Sequence, residues 1–125
     1  MDVGRLARGQ AVNRVLMGTG LLLAPQVVGR VWAGPLAADE RARVLSRALG
    51  ARDLALGAAG LLAVRDGDEA WTRRAFGLQA FADGVDLVAI LAAGPALPLP
   101  NRVLGAVMAG GSAAVAAAYA RGRAA

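Results

Sequence analysis

The longest uncharged stretch of this chain is VLGAVMAGGSAAVAAAYA, at residues 103–120. Its 18 residues reach the roughly 17–25 apolar residues that a helix needs to cross a bilayer. Three further apolar segments precede it, at residues 11–28, 48–64 and 75–94. The pattern predicts an all-α fold, an integral membrane four-helix bundle with both termini on the same side, forming one domain over residues 1–125. The predicted helices span about 11–28, 39–64, 75–94 and 102–120.

The amino-acid composition supports a membrane protein. Of 125 residues, 57% are hydrophobic and 18% charged, and the mean hydropathy is +0.49. Soluble domains carry about 25% charged and 45–50% apolar residues. The chain has 31 Ala and 17 Gly but only 4% aromatic residues, a mixture that suits helices packed closely in lipid. We therefore expect the lipid bilayer as a partner. A soluble Ala-rich bundle is the alternative, because the second segment has only 11 consecutive uncharged residues, Leu54–Val64.

The charged and reactive residues exclude several classes of function. The chain has no Cys and no His, which excludes disulfides, thiol chemistry, His-based triads, and haem or zinc held by these ligands. All 14 basic residues are Arg and the net charge is +5. These arginines are dispersed and lie mostly at the ends of apolar segments, as in membrane proteins rather than nucleic-acid-binding ones. We therefore expect no cofactor, no metal, no catalytic residue and no nucleic-acid partner.

The distribution of arginines predicts an orientation. Eight lie on the side of the two termini and the central turn, five lie on the other side, and Arg52 is inside a segment. By the positive-inside rule, this bias predicts a multi-pass protein of the inner (plasma) membrane with cytoplasmic termini. Asn13-Arg14 is interpreted here as an interfacial helix end, with Arg14 as a snorkelling anchor. Asn101-Arg102 has the same interpretation, with Asn101 as an N-cap.

Two residues near the first connection shape the predicted helices. Pro25 lies late in the first segment, and a proline there either kinks the helix or ends it. In the second case, residues 26–32 form a short interfacial piece with Trp32 at headgroup level. Asp39 follows this region and is a suitable N-cap for the second helix.

Small residues recur at i, i+4 spacing on the second and fourth predicted helices. The predicted packing positions are Gly57, Gly60, Ala106, Gly110 and Ala114. Small side chains let two helix backbones approach closely, which matters where lipid removes the hydrophobic drive for association. We interpret them as packing within one bundle. The alternative is that one stripe, on the fourth helix, faces a second subunit in a homo-oligomer or a larger membrane complex.

Five polar residues interrupt the second and third segments and are predicted to form a buried polar cluster: Arg52, Asp53, Gln79, Asp83 and Asp86. An ionisable group in a bilayer costs several kcal/mol unless it is paired, so these side chains should face the interior. The second and third helices are antiparallel across a short turn. At ~1.5 Å per residue from that turn, Arg52 lies ~20 Å deep, Asp86 ~18 Å and Asp83 ~14 Å. Arg52 is therefore predicted to reach Asp86, with Asp83 also near.

The charges of this cluster do not balance. One arginine facing three aspartates leaves an excess of negative charge, which a proton, water, another arginine or a bound cation must resolve. Three roles are therefore open for the cluster. It is a structural clasp, a proton relay or cation-binding site, or a pocket for a small amphipathic ligand.

Two functions follow from these readings. The first is a non-enzymatic accessory or scaffold component. The alternative is a small oligomeric transporter or channel that uses the midplane aspartates for proton or cation coupling. A cluster without a cavity favours the first, and an open polar crevice that reaches the aspartates favours the second. A membrane enzyme has little support, since Asp, Glu and Tyr119 are the remaining acid–base candidates.

The two polar motifs resemble those of a known family. Residues 47–57, RALGARDLALG, resemble its G-x-R-D-x-x-x-G signature, and residues 82–86, ADGVD, resemble its A-D-x-x-D element. Leu23-Ala24-Pro25 is similar to the end of that family's first helix. The family consists of small, uncharacterised four-helix membrane proteins of actinobacteria, loosely DoxX-like. The resemblance covers residues 14–119 and implies a four-helix membrane fold with no established activity. The key residues that it implies are Arg52, Asp53, Asp83 and Asp86.

Overall fold

The computed structural model describes residues 3–122, and this part of the chain is helical without any β-strand. The predicted all-α class is therefore confirmed. Four helices are long and two are short, and two 3-10 turns lie at residues 34–38 and 94–96. The helices are α1 (Val3–Leu23), α2 (Pro25–Val28), α3 (Arg30–Ala33), α4 (Glu40–Asp66), α5 (Glu69–Ala93) and α6 (Leu99–Ala120).

The first helix ends just before Pro25. Proline lacks a backbone N–H and disfavours the helical conformation of the residue before it, and Ala24 has φ −134° and ψ 60°. Of the two alternatives for Pro25, the structure therefore has the helix end. The segment from Pro25 to Ala38 then runs at 117° to α1, so that it folds back over one end of the long helices.

Of the two predicted helix N-caps, Asp39 and Asn101, one is present in the structure. Asp39 is the N-cap of α4, and its Oδ1 accepts hydrogen bonds from the backbone N–H of Arg41 at 2.8 Å and of Ala42 at 3.3 Å. Asn101 as an N-cap was wrong, because α6 begins two residues earlier, at Leu99. Pro100 explains this early start, since a proline is well tolerated in the first turn of a helix.

Asn101 instead tethers the segment that folds back. Its side-chain amide donates to the backbone oxygens of Arg30 at 3.0 Å and Val31 at 3.1 Å, both in α3. The Arg30 oxygen also accepts from the backbone N–H of Gly34, whereas the residue four positions after Val31 is Pro35, which has no N–H to donate. The contact therefore gives the Val31 oxygen a partner. It also fixes Trp32, the next residue of α3, above the start of α6.

The four long helices form a ring in which α1 and α5 each contact both α4 and α6. The closest approach is between α1 and α4, where a Cβ on Gly18 would lie 2.5 Å from the backbone nitrogen of Leu54. A Cβ on Gly57 would lie 2.8 Å from the backbone oxygen of Ala11. Ala7 of α1 packs with Ala116 of α6, so the two ends of the described chain lie at the same end of the ring.

The small residues of α6 occupy different environments. Ala106 and Gly110 are half-buried and Ala114 is exposed. The buried face of α6 instead contains Gly105, Ala109 and Ala116. On α4, both Gly57 and Gly60 are buried. A contact of Ala114 with a second subunit stays a prediction.

Two helices are long and apolar enough to cross a membrane, namely α5 with its following turn and α6. A third candidate is α1 joined to the segment after Pro25, as one broken span. Within residues 3–122, α4 is not among the candidates. Its interior carries Arg52 and Asp53, the two charges that already set the second apolar segment apart in the sequence.

Gly67, between α4 and α5, provides a test of the connection. It has φ +71°, and a Cβ there would meet no atom within 4 Å. A Gly67→Ala variant is therefore expected to lose about 1–2 kcal/mol of unfolding free energy, from the left-handed conformation alone. The measurement is denaturant unfolding in mixed micelles. Gly77→Ala is the control, since Gly77 lies inside α5 with equally open space, and a gain of about 1 kcal/mol is expected there. Equal effects of the two substitutions would contradict this account.

Candidate functional site

Arg14 lies at the centre of the polar interior. It is only 6% exposed, and its Nη1 donates a hydrogen bond to Asp53 Oδ1 at 2.8 Å. Its Nη2 donates to both carboxylate oxygens of Asp83. The prediction of Arg14 as an interfacial anchor was therefore wrong. The physical reason is that α1 begins by Val3, which places Arg14 in the middle of the helix rather than near its start.

Arg52 and Asp86 form a second ion pair. Arg52 Nη1 donates to Asp86 Oδ1 at 2.9 Å, and Nη2 donates to Oδ2 at 2.5 Å. This two-pronged contact is the geometry in which a guanidinium binds a carboxylate best. Arg52 Nη2 also donates to Asp53 Oδ1 at 3.2 Å. Asp53 therefore lies between the two arginines. Asp83, which was predicted to lie near Arg52, binds Arg14 instead.

Two further polar residues complete the network. Ser112 Oγ donates to Asp83 Oδ2 at 2.6 Å. Gln10 Nε2 donates to Ser112 Oγ at 2.7 Å and to the Ser112 backbone oxygen at 3.1 Å. The network therefore joins α1, α4, α5 and α6. We call it the Arg–Asp clasp, and its members are Gln10, Arg14, Arg52, Asp53, Asp83, Asp86 and Ser112.

Gln79 lies apart from the clasp, although it was predicted to belong to the cluster. It is fully buried, and its Nε2 donates to the backbone oxygen of Leu56 at 3.0 Å. A Cβ on Gly60 would lie 2.5 Å from this Nε2. Gly60 therefore makes room for the Gln79 side chain, and the contact joins α4 to α5 one turn away from Asp83.

An open cleft of about 260 Å³ lies beside the clasp. Its floor is polar, and its walls are mostly apolar. The polar lining residues are Gln10, Asn13, Arg14, Asp53, Asp83, Asp86 and Ser112. The apolar ones are Met17, Trp32, Leu49, Ala89, Ile90, Met108 and Ala109. The segment that folds back after Pro25 therefore contributes one aromatic wall, Trp32.

Several polar atoms of this lining are buried without a hydrogen-bond partner among the described residues. They are Gln10 Oε1, Arg14 Nε and Trp32 Nε1. A buried polar atom that lacks a partner costs about 1–3 kcal/mol. Next to the charged groups and apolar walls of the cleft there are thus three polar atoms whose hydrogen-bonding capacity is unused.

Comparisons with known proteins leave the fold and the clasp as the basis for any functional conclusion. No family model, no curated protein and no solved structure matches this chain.

Proposed function

We propose that this protein is a non-enzymatic, multi-pass integral membrane protein, an accessory component that binds a small amphipathic molecule in the cleft. The observation that carries the proposal is the cleft itself, which combines a charged floor with apolar walls. Ligand sites are concave and mostly apolar, with a few polar groups that orient the ligand. A purely structural clasp needs no such cavity, so the cleft favours ligand binding over a scaffold role alone.

The distribution of side chains supports a bilayer as the surroundings. Phe81 is 71% exposed and Val88 is 67% exposed, both on α5, while Arg14 and Asp83 are almost fully buried. A soluble protein has the opposite tendency, with large apolar side chains inside and charged ones outside. In lipid, charged groups belong in the interior, where they pair with one another. We infer that the four long helices cross the membrane and that α4 turns its charges inward.

The orientation is proposed from the arginines. With Arg14 in the interior, seven arginines remain on the side of the termini against five on the other side. The positive-inside rule still favours cytoplasmic termini in the plasma membrane. We also propose that the chain belongs to the loosely DoxX-like family. The support for this is that the four charged residues of the two motifs, Arg52, Asp53, Asp83 and Asp86, all belong to the clasp.

Transport is the second candidate function. The same cleft is open and reaches Asp83 and Asp86, and acidic groups inside a membrane often mark ion or proton pathways. Four long helices enclose little space, so a continuous path would need a second copy of the chain. Proton or cation flux into vesicles that contain the purified protein would favour transport over binding alone.

Binding in the cleft is tested by closing it. Ala89 is exposed and lines the cleft, whereas Ala92 is exposed on the same helix and does not line it. In a Trp71→Phe background Trp32 is the remaining one of two tryptophans, and its fluorescence reports events in the cleft. The probes are benzyltrimethylammonium, uncharged neopentylbenzene and phenylacetate, each added to protein in lipid nanodiscs.

We expect at least one probe to change Trp32 fluorescence in a saturable way. Ala89→Phe is expected to abolish this response because its ring fills the cleft, and the matched variant Ala92→Phe is expected to retain it. No saturable response to any probe, or an equal response in both variants, would contradict ligand binding in the cleft.

A further inference from the structure

The clasp carries an unbalanced charge. Three aspartates and two arginines form its ion pairs, which leaves one net negative charge when all five are ionised. Across residues 3–122, the ion pairs described for these aspartates are to Arg14 and Arg52 alone. An uncompensated charge in a low-dielectric interior is strongly unfavourable. One positive charge, as a proton or as a bound cation, would therefore neutralise the site.

Asp86 is the most accessible carboxylate of this negatively charged cluster, since its side chain is more exposed than those of Asp53 and Asp83. The side chain of Asp83 is 7% exposed and lies under Arg14 and Ser112, whereas the side chain of Asp86 is 31% exposed. Both residues line the cleft. A positively charged group that enters the cleft therefore meets Asp86 first.

The walls favour an organic cation over a metal ion. Trp32 contributes an aromatic ring, and aromatic rings attract ammonium groups. Met17, Ile90 and Met108 are apolar, and the two methionine side chains are flexible. Within the described part of the chain, no three acidic side chains are arranged to hold a metal ion. The volume of about 260 Å³ lies just below the roughly 300–1,000 Å³ of sites for drug-sized ligands, so the ligand is small.

We propose that the cleft binds a small organic monocation, an amine or quaternary ammonium with an apolar substituent. Its charged head lies near Asp86 and Trp32, and its apolar part lies against Met17, Ile90 and Met108. This inference rests on the proposed function, because it names the class of molecule that the cleft takes. It explains why the clasp has one aspartate more than it has arginines.

The three probes of the cleft test this proposal by their charge. Neopentylbenzene has carbon where benzyltrimethylammonium has its positive nitrogen, so the two have nearly the same shape. In the Trp71→Phe protein we expect the cation to bind at least tenfold more tightly than this uncharged isostere, and phenylacetate to bind most weakly. Each comparison uses the same nanodiscs, with affinities corrected for the amount of probe in the lipid.

Substitutions at Asp86 identify the charge responsible. Asp86→Asn makes the clasp neutral, so we expect the affinity for benzyltrimethylammonium to fall at least tenfold while that for the isostere stays within threefold. Asp86→Glu keeps the charge and is expected to retain the preference for the cation. Asp66→Asn is the matched control, because Asp66 is an exposed aspartate of α4 outside the cleft, and no change is expected there.

The outcomes separate the two proposals. If the isostere or phenylacetate binds as tightly as the cation, the monocation proposal is overturned, while ligand binding in the cleft stands. The same holds if Asp86→Asn folds and leaves the affinity for the cation unchanged. If no probe binds, both proposals are overturned. The ranking of the probes needs no substitution in the clasp, so it decides the question even if Asp86→Asn does not fold.

Discussion

Replacing Arg14 with methionine is expected to lower the unfolding free energy by about 3–5 kcal/mol, the usual cost of removing one partner of a buried ion pair. Arg14 is only 6% exposed and forms ion pairs with both Asp53 and Asp83. Methionine fills similar space but leaves Asp83 without an ion-pair partner and Asp53 with Arg52 alone. The measurement is equilibrium unfolding in mixed micelles, followed by helical circular dichroism.

Two further variants separate charge from packing. Arg8 is an exposed arginine of the same helix, so Arg8→Met is expected to change stability by less than about 0.5 kcal/mol. Adding Asp53→Asn and Asp83→Asn to Arg14→Met removes the buried charges, and this triple variant is expected to recover part of the loss. Equal stabilities of Arg14→Met and Arg8→Met would show that the clasp does not hold the helices together.

Gly18→Ala is expected to cost about 1–3 kcal/mol, since overpacking a tight contact forces backbones apart. Its Cβ would lie 2.5 Å from the Leu54 nitrogen and 2.6 Å from the Gly50 oxygen. Both atoms are backbone atoms of α4, so no side chain can move aside to make room. The measurement is the same unfolding experiment.

Gly9→Ala is the control for this contact and should have the opposite sign. Gly9 lies in α1 like Gly18, but a Cβ there would meet no atom within 4 Å. Alanine favours a helix over glycine by about 1 kcal/mol, so this variant is expected to be more stable than the parent. If both substitutions were stabilising, the close approach of α1 and α4 would be contradicted.

The sequence predicted the contact of Arg52 with Asp86 for a physical reason that the structure reproduces. Antiparallel helices joined by a short turn place residues at equal distance from the turn side by side. The hydrogen bonds at 2.9 and 2.5 Å between these side chains follow from that register. Such a prediction needs only two helices and the turn between them.

Hydropathy alone does not reveal the position of Arg14 inside the first helix. Arg5 and Arg8 precede it, so the apolar segment begins near residue 11, whereas α1 extends from Val3. One signal did point to it, namely the excess of aspartates over arginines in the predicted cluster. That imbalance indicates that another positively charged residue is near. Among the arginines of the first helix, Arg14 lies closest to the middle of the helix.

The cleft depends on contacts that no local pattern reveals. Trp32 forms a wall because Pro25 ends α1 and Asn101 tethers α3 to the start of α6. On α6, regular spacing of Ala and Gly occurs on several faces, so spacing alone does not identify the buried one. Ser112 is the polar residue that distinguishes the inner face, because it binds Asp83.

The most direct test of the membrane account is labelling of single cysteines, which is unambiguous because the chain has no cysteine. Phe81 and Val88 are exposed on α5, and Ala70 is exposed at the polar turn. In open membrane fragments, a water-soluble maleimide is expected to label Ala70→Cys at least tenfold faster than Phe81→Cys or Val88→Cys. Denaturation in SDS should make the three rates similar. Equal rates at all three sites in native membranes would contradict a bilayer around these helices.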